Sequence, residues 1–158
     1  MSVDYIVASL QPLVFGAPPP YTLAEFAALA GDVRPSRRWL DLEAEMRNAI
    51  AEERARAWNA HGGAAVDAAK WKRPVDGCSL YWTNRVRSAF AEKDPLRRDE
   101  ALDRAFWDAA GELTPVASPL SRGALETYAV RLAIAVRRAR RSTEAGNAVF
   151  DRITGEGV

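Results

Sequence analysis

Residues 94–113 read DPLRRDEALDRAFWDAAGEL, and this stretch decides the fold. Asp94-Pro95 is a helix start: a side-chain cap followed by a proline at the first helical position, where no N–H is needed. Leu102, Ala105, Phe106, Ala109 and Leu113 then recur at three-four spacing, one apolar face of an α-helix. Thr114-Pro115 ends the run, and Ser118-Pro119 continues the loop.

The same pattern extends in both directions. Downstream, residues 121–141 form a long helix with Leu125, Tyr128, Leu132, Ala135, Val136 and Ala139 inward. Ser142-Thr143-Glu144 breaks it, and a short amphipathic tail follows within 142–158, with Val149, Phe150 and Ile153 apolar. Upstream, residues 79–93 predict a helix facing the core with Trp82, Val86, Ala89 and Phe90. Ser36 caps another, whose inner side carries Trp39, Leu42, Met46, Ala49, Ile50 and Ala57, with Asp41, Glu45, Glu52 and Arg56 on its other faces. His61-Gly62-Gly63 stops it. Thr22 and Glu25 form a capping-box pattern ahead of Phe26, and Gly31 closes that helix. Residues 64–70 have room for two helical turns, and Pro74, Asp76 and Gly77 mark a loop. Residues 1–20 predict an extended entry, because Tyr5-Ile6-Val7 is β-like and Pro12 and Pro18–Pro20 forbid helix in the second half. The expectation is a single all-α domain over 1–158, a bundle of five or six helices.

Composition agrees. Alanine occurs 30 times and arginine 19 times in 158 residues, and both are strong helix formers. One cysteine, Cys78, excludes an intramolecular disulfide, and one histidine, His61, leaves no His-based metal site or triad. His61 suits a helix C-terminus, where the dipole favours a cation. No phosphate-binding glycine loop is present. No catalytic residue, metal site or cofactor is expected. No stretch is long and apolar enough for a membrane span, and no basic residue precedes Arg34, so a cytoplasmic location is expected. Peripheral association through a partner stays compatible with that.

The blocks Asp4–Gly16, Asp94–Trp107 and Leu125–Ile134, with the tail Glu144–Phe150, resemble in order the bacterial family DUF2764. Its entry is Tyr-x-Val-Ala-Ser-Leu-Pro-like, its middle block carries Asn-Pro-Leu and Leu-Asp, and its late helix carries Leu-x-x-Tyr-Ala. This chain departs from it with Asp94 in place of Asn and Gln11 before Pro12. Residues 60–77 match no part of the family. The resemblance implies an association with bacterial V-type ATPases, as a non-catalytic accessory or C-like stalk subunit contacting the shaft or the rotor ring. The alternative is a free-standing helical adaptor, homodimeric in one form.

Charge gives the contact candidates. The chain balances 22 basic against 21 acidic residues, but unevenly. Residues 1–33 hold three acids and no base, whereas 120–141 hold six arginines and one acid, a balance of +5. Arg131, Arg137, Arg138, Arg140 and Arg141 suggest docking to an acidic surface, partly explained by the dipole at a helix C-terminus. Aromatic interleaving is lacking there, so no nucleic-acid role is expected. Asp99, Glu100 and Asp103 are read as a solvated face with i,i+4 pairs rather than a carboxylate site. Asp103 is a candidate for a buried pair with an arginine of another helix, such as Arg131. Asp94, Pro95, Trp107 and Tyr128 are structural positions. Trp71, between two lysines, is the candidate exposed anchor; core burial is the competing reading.

Overall fold

The computed structural model describes residues 2–75, 77, 79–141, 152 and 155. Its helices are α1 (Val3–Ser9), α2 (Leu23–Ala30), α3 (Arg37–Ala60), α4 (Leu80–Ala89), α5 (Pro95–Ala110) and α6 (Arg122–Ala139). Short 3₁₀ turns occupy Ala68–Lys70 and Gly111–Leu113. The fold is all-α, with no strand among the described residues. Cys78, the loop residue Asp76 and the tail with Val149, Phe150 and Ile153 lie outside them.

Local capping chemistry sets most boundaries. Thr22 accepts from the Glu25 amide while the Glu25 side chain accepts from the Thr22 amide, a reciprocal box that opens α2. Ser36, Asp94 and Ser121 accept from Trp39, Leu96 and Ala124 at the starts of α3, α5 and α6. His61 caps the end of α3, with Nδ1 2.6 Å from the Ala57 carbonyl.

Two apolar clusters hold the helices. The larger joins α3, α4 and α5, with Ile134 and Ala135 of α6: Trp39, Met46, Trp82, Val86 and Phe106 are at its centre. The smaller gathers Ile6, Phe26, Leu125 and Leu132, so α1 and α2 pack on α6. Leu13 touches both. The Ala110 and Thr127 backbones and side chains fix the α5–α6 approach: Thr127 Oγ1 donates to the Ala110 carbonyl at 2.9 Å. Gly123 lies so close to the Leu113 carbonyl that a Cβ there has no room.

Several sequence expectations need correction. The entry is not extended throughout, because residues 3–9 form α1. Val3, Ile6, Val7 and Leu10 share one helical face and pack against α6, and that burial outweighs the β-preference of Ile6 and Val7. Residues 64–70 do not make two α-turns. Trp58 Nε1 donates to the Ala64 carbonyl, and Asn59 both accepts from and donates to the Val66 backbone, which holds this stretch as a loop. Helix α4 ends at Ala89 rather than near Lys93; Phe90, Ala91 and Glu92 donate to carbonyls three residues back, a tightened terminus. Ala57 is exposed while Ala55 is buried, and Glu45 is inside rather than on an outer face. On α6, Ala139 is exposed and Tyr128 and Val136 are half-buried, while Ile134 takes a core position.

Candidate functional site: an ion network and an open groove

Helices α5 and α6 run antiparallel, and their register brings the acids of one onto the arginines of the other. Asp103 is the centre, with its side chain 4% exposed. Arg137 Nη2 donates to Oδ1 at 2.5 Å, Arg141 Nη1 to Oδ2 at 3.0 Å and Arg138 Nη1 to Oδ2 at 3.5 Å. Glu100 adds a longer pair to Arg138 at 3.6 Å and Asp99 one to Arg141 at 3.9 Å. The acids are thus turned to a neighbouring helix as well as to solvent. The buried pair expected for Asp103 exists, but Arg131 is not its partner.

Arg131 lies earlier on α6, where α5 offers Trp107. Its Nε donates to the Trp107 carbonyl at 2.9 Å and its guanidinium covers the Trp107 ring, 5.3 Å from the centroid. Burial lowers its pKa from the ordinary arginine value. Phe15 is held between Arg138 and Arg104, 4.4 and 4.9 Å from its centroid, and meets Trp107 edge-on at 5.4 Å. Of the arginine group, then, Arg137, Arg138 and Arg141 bind Asp103, Arg131 binds Trp107, and Arg140 is exposed. Trp107 is 6% exposed. Tyr128 stacks on Phe26 at 5.4 Å and donates to the Gln11 carbonyl at 2.8 Å; burial pushes its phenol up to about 12. Trp71 is 57% exposed rather than buried in the core, and Trp58 matches it at 58%.

Sequence reasoning missed the buried carboxylates that tie segments together. Glu45 accepts from the Ser79 amide at 2.7 Å and Glu126 from the Ser36 amide at 2.6 Å. Each is an acid at a core-facing helical position, which is the only mark it leaves in the sequence. Among the described residues no buried side-chain nitrogen or oxygen lacks a partner.

The Ser36–Glu126 bond places the beginnings of α3 and α6 together. Beyond it the two helices diverge over α5 and leave an open groove of about 620 Å³. One wall is the α3 stripe Trp39, Glu43, Arg47, Ile50 and Arg54; the other is the α6 stripe Ala129, Val130, Ala133, Arg137 and Arg141. Leu102 and Phe106 of α5 form the floor, and Phe26 and Val33 close the end near Ser36. The groove has an apolar base and charged rims. Among the described residues no three His, Cys, Asp or Glu side chains group to hold a metal ion, and no helix is long and apolar enough to cross a membrane. Comparison with protein-family models, with curated proteins and with solved structures gives no match.

Proposed function

We propose that the chain acts without catalysis, through protein–protein contacts made by its helical face. The observation that carries this is the groove between α3 and α6, whose walls leave Ala133 exposed and Ile50 and Val130 half-buried among the described residues. The residue blocks that resemble DUF2764 supply the candidate setting, an accessory or C-like stalk subunit of a bacterial V-type ATPase, at the inner face of the membrane through its partners. The test is affinity purification from the native membrane fraction. Recovery of shaft or rotor-ring subunits in fixed ratio supports the setting; a purified complex without any rotary ATPase subunit removes it.

A second reading, a free-standing adaptor or homodimer, draws on the exposed Trp58 and Trp71, which lie away from the groove walls. Light scattering of the pure chain distinguishes the two. A stable dimer that Trp71→Ala dissolves favours this second reading, and a monomer favours the first.

A further inference from the structure

We propose that the groove receives an amphipathic helix of another protein, about four turns long, with acidic residues at the end that lies over Arg54, Arg137 and Arg141. This rests on the interaction reading above and names the partner's chemistry.

The length follows from the walls. The α3 stripe runs from Trp39 to Arg54 and the other wall from Glu126 to Arg141, just past the end of α6, fifteen steps of chain each. At 1.5 Å per residue both are roughly 22 Å long. The three-four spacing of each stripe keeps one continuous side of its helix on the groove. Ala129 and Ala133 keep the α6 wall low at mid-length, opposite Arg47 and the half-buried Ile50 of the α3 wall. Small residues along a wall let a third helix approach closely over the Leu102–Phe106 floor.

The polarity follows from the rims. The end near Ser36 is lined by Asp32 and Glu126 and by no arginine. The far end carries Arg54, Arg137 and Arg141 against the exposed Asp99 and the buried Asp103, three cations to two acids. Arg54 is exposed and makes no ion pair among the described residues. Arg137 and Arg141 keep 45% and 46% of their side chains exposed although both bind Asp103. A guanidinium has five N–H donors, and the Asp103 oxygens occupy only part of them. The remaining donors are aimed by a fixed carboxylate and stay open to a second acid.

The experiment measures fluorescence anisotropy of two labelled 15-residue peptides on the full chain at low salt. Both carry the same leucine stripe at i, i+3, i+4 spacing; one has three glutamates in a terminal turn and the other three lysines. The acidic peptide is expected to bind about tenfold more tightly, the preference falling with added salt. Arg54→Glu is expected to remove most of that preference. Ala133→Glu, at an exposed helix position, is expected to abolish binding of both peptides with the helical circular dichroism and thermal midpoint unchanged. Equal affinity for the two peptides, or no binding of either, overturns the proposal. So does displacement of the probe by a peptide of residues 142–158, or a dimer that Ala133→Glu dissolves, since either gives the groove a different occupant. Recovery of the same membrane partner by Ala133→Glu and by the unmodified chain sinks the groove while leaving the interaction reading intact.

Discussion

At the scale of the residue, Asp103 carries the largest single electrostatic responsibility. Its side chain is nearly inaccessible, and Arg137 and Arg138 of α6 and Arg141 just beyond it converge on it. Removing a buried partner leaves the other charges uncompensated, which costs more than the pair itself is worth. The arginines are partly solvated, at 22–46% side-chain exposure, so the loss is moderated. Asp103→Ala is expected to lower stability by about 2 kcal/mol in urea unfolding. A double-mutant cycle with Arg137→Ala is expected to show strong coupling, and one with Arg131→Ala none. The sequence announces Asp103 as a pairing residue, because an acid next to a core stripe needs a cation. It does not announce which cation. That depends on the α5–α6 register, in which Trp107 meets Arg131 and Asp103, one turn earlier on α5, meets Arg137, nearly two turns later on α6.

Glu52 gives a pH test at the same scale. Its carboxyl accepts from Lys72 at 2.6 Å and Arg87 at 3.3 Å, joining α3 to the 68–72 region and to α4. Hydrogen bonding from Lys72 holds its pKa below the ordinary 4.5, against the opposing effect of burial. A carboxyl with a lowered folded value favours folding above its unfolded value and loses that contribution as the pH falls through the folded value. The stabilisation is therefore present at neutral pH and disappears below about pH 4.5. Glu52→Gln is expected to flatten the acid limb of the stability–pH curve and to leave it unchanged at the acid end.

At the scale of the element, starts were more legible than packing. Thr22, Ser36, Asp94-Pro95 and Ser121 each state a helix start in side-chain chemistry alone, and each helix begins there. Helix α1 has no such mark: Ser2 makes no side-chain cap bond, and the helix exists because Ile6 is covered by the second cluster. Ile6→Ala is expected to cost about 2 kcal/mol and to raise hydrogen exchange across residues 3–9 before the rest of the chain. The joint between the Gly111–Leu113 turn and α6 has the opposite sensitivity, to added volume. Gly123→Ala is expected to destabilise by about 1–3 kcal/mol, since the new methyl meets the Leu113 carbonyl and backbone must move. Thermal unfolding of both variants measures the difference. Ala57 and Ala55 show why stripe assignments drift: over a 24-residue helix the side facing the core changes as α3 leaves α5 for α4.

At the scale of the molecule, a neutral total conceals a patterned surface. The arginine-rich last helix was legible as a count, but its meaning was not. Most of those arginines are turned onto Asp103, Trp107 and Phe15, and what they leave over is a set of unused donors at one end of a groove. The groove itself has no trace in the sequence, because it is made by two helices ninety residues apart failing to meet. Raising salt is expected to weaken binding at this end while changing the thermal midpoint little, a contrast that separates exposed donors from the buried Asp103 pair.

The Ser36–Glu126 bond has a mechanical consequence. It pins α3 to α6 at one extremity, and the two walls otherwise share little direct contact. The pair is built like a clothes-peg, with its spring at Glu126 and its jaws at Arg54 and Arg141. The Asp103 bonds to Arg137 and Arg141 set the width of the jaws, so α6 turns about that pin only as far as those bonds give. Glu126→Gln, which keeps the acceptor but removes its charge, slackens the spring, so it is expected to speed both entry and departure of a seated helix more than it alters the affinity.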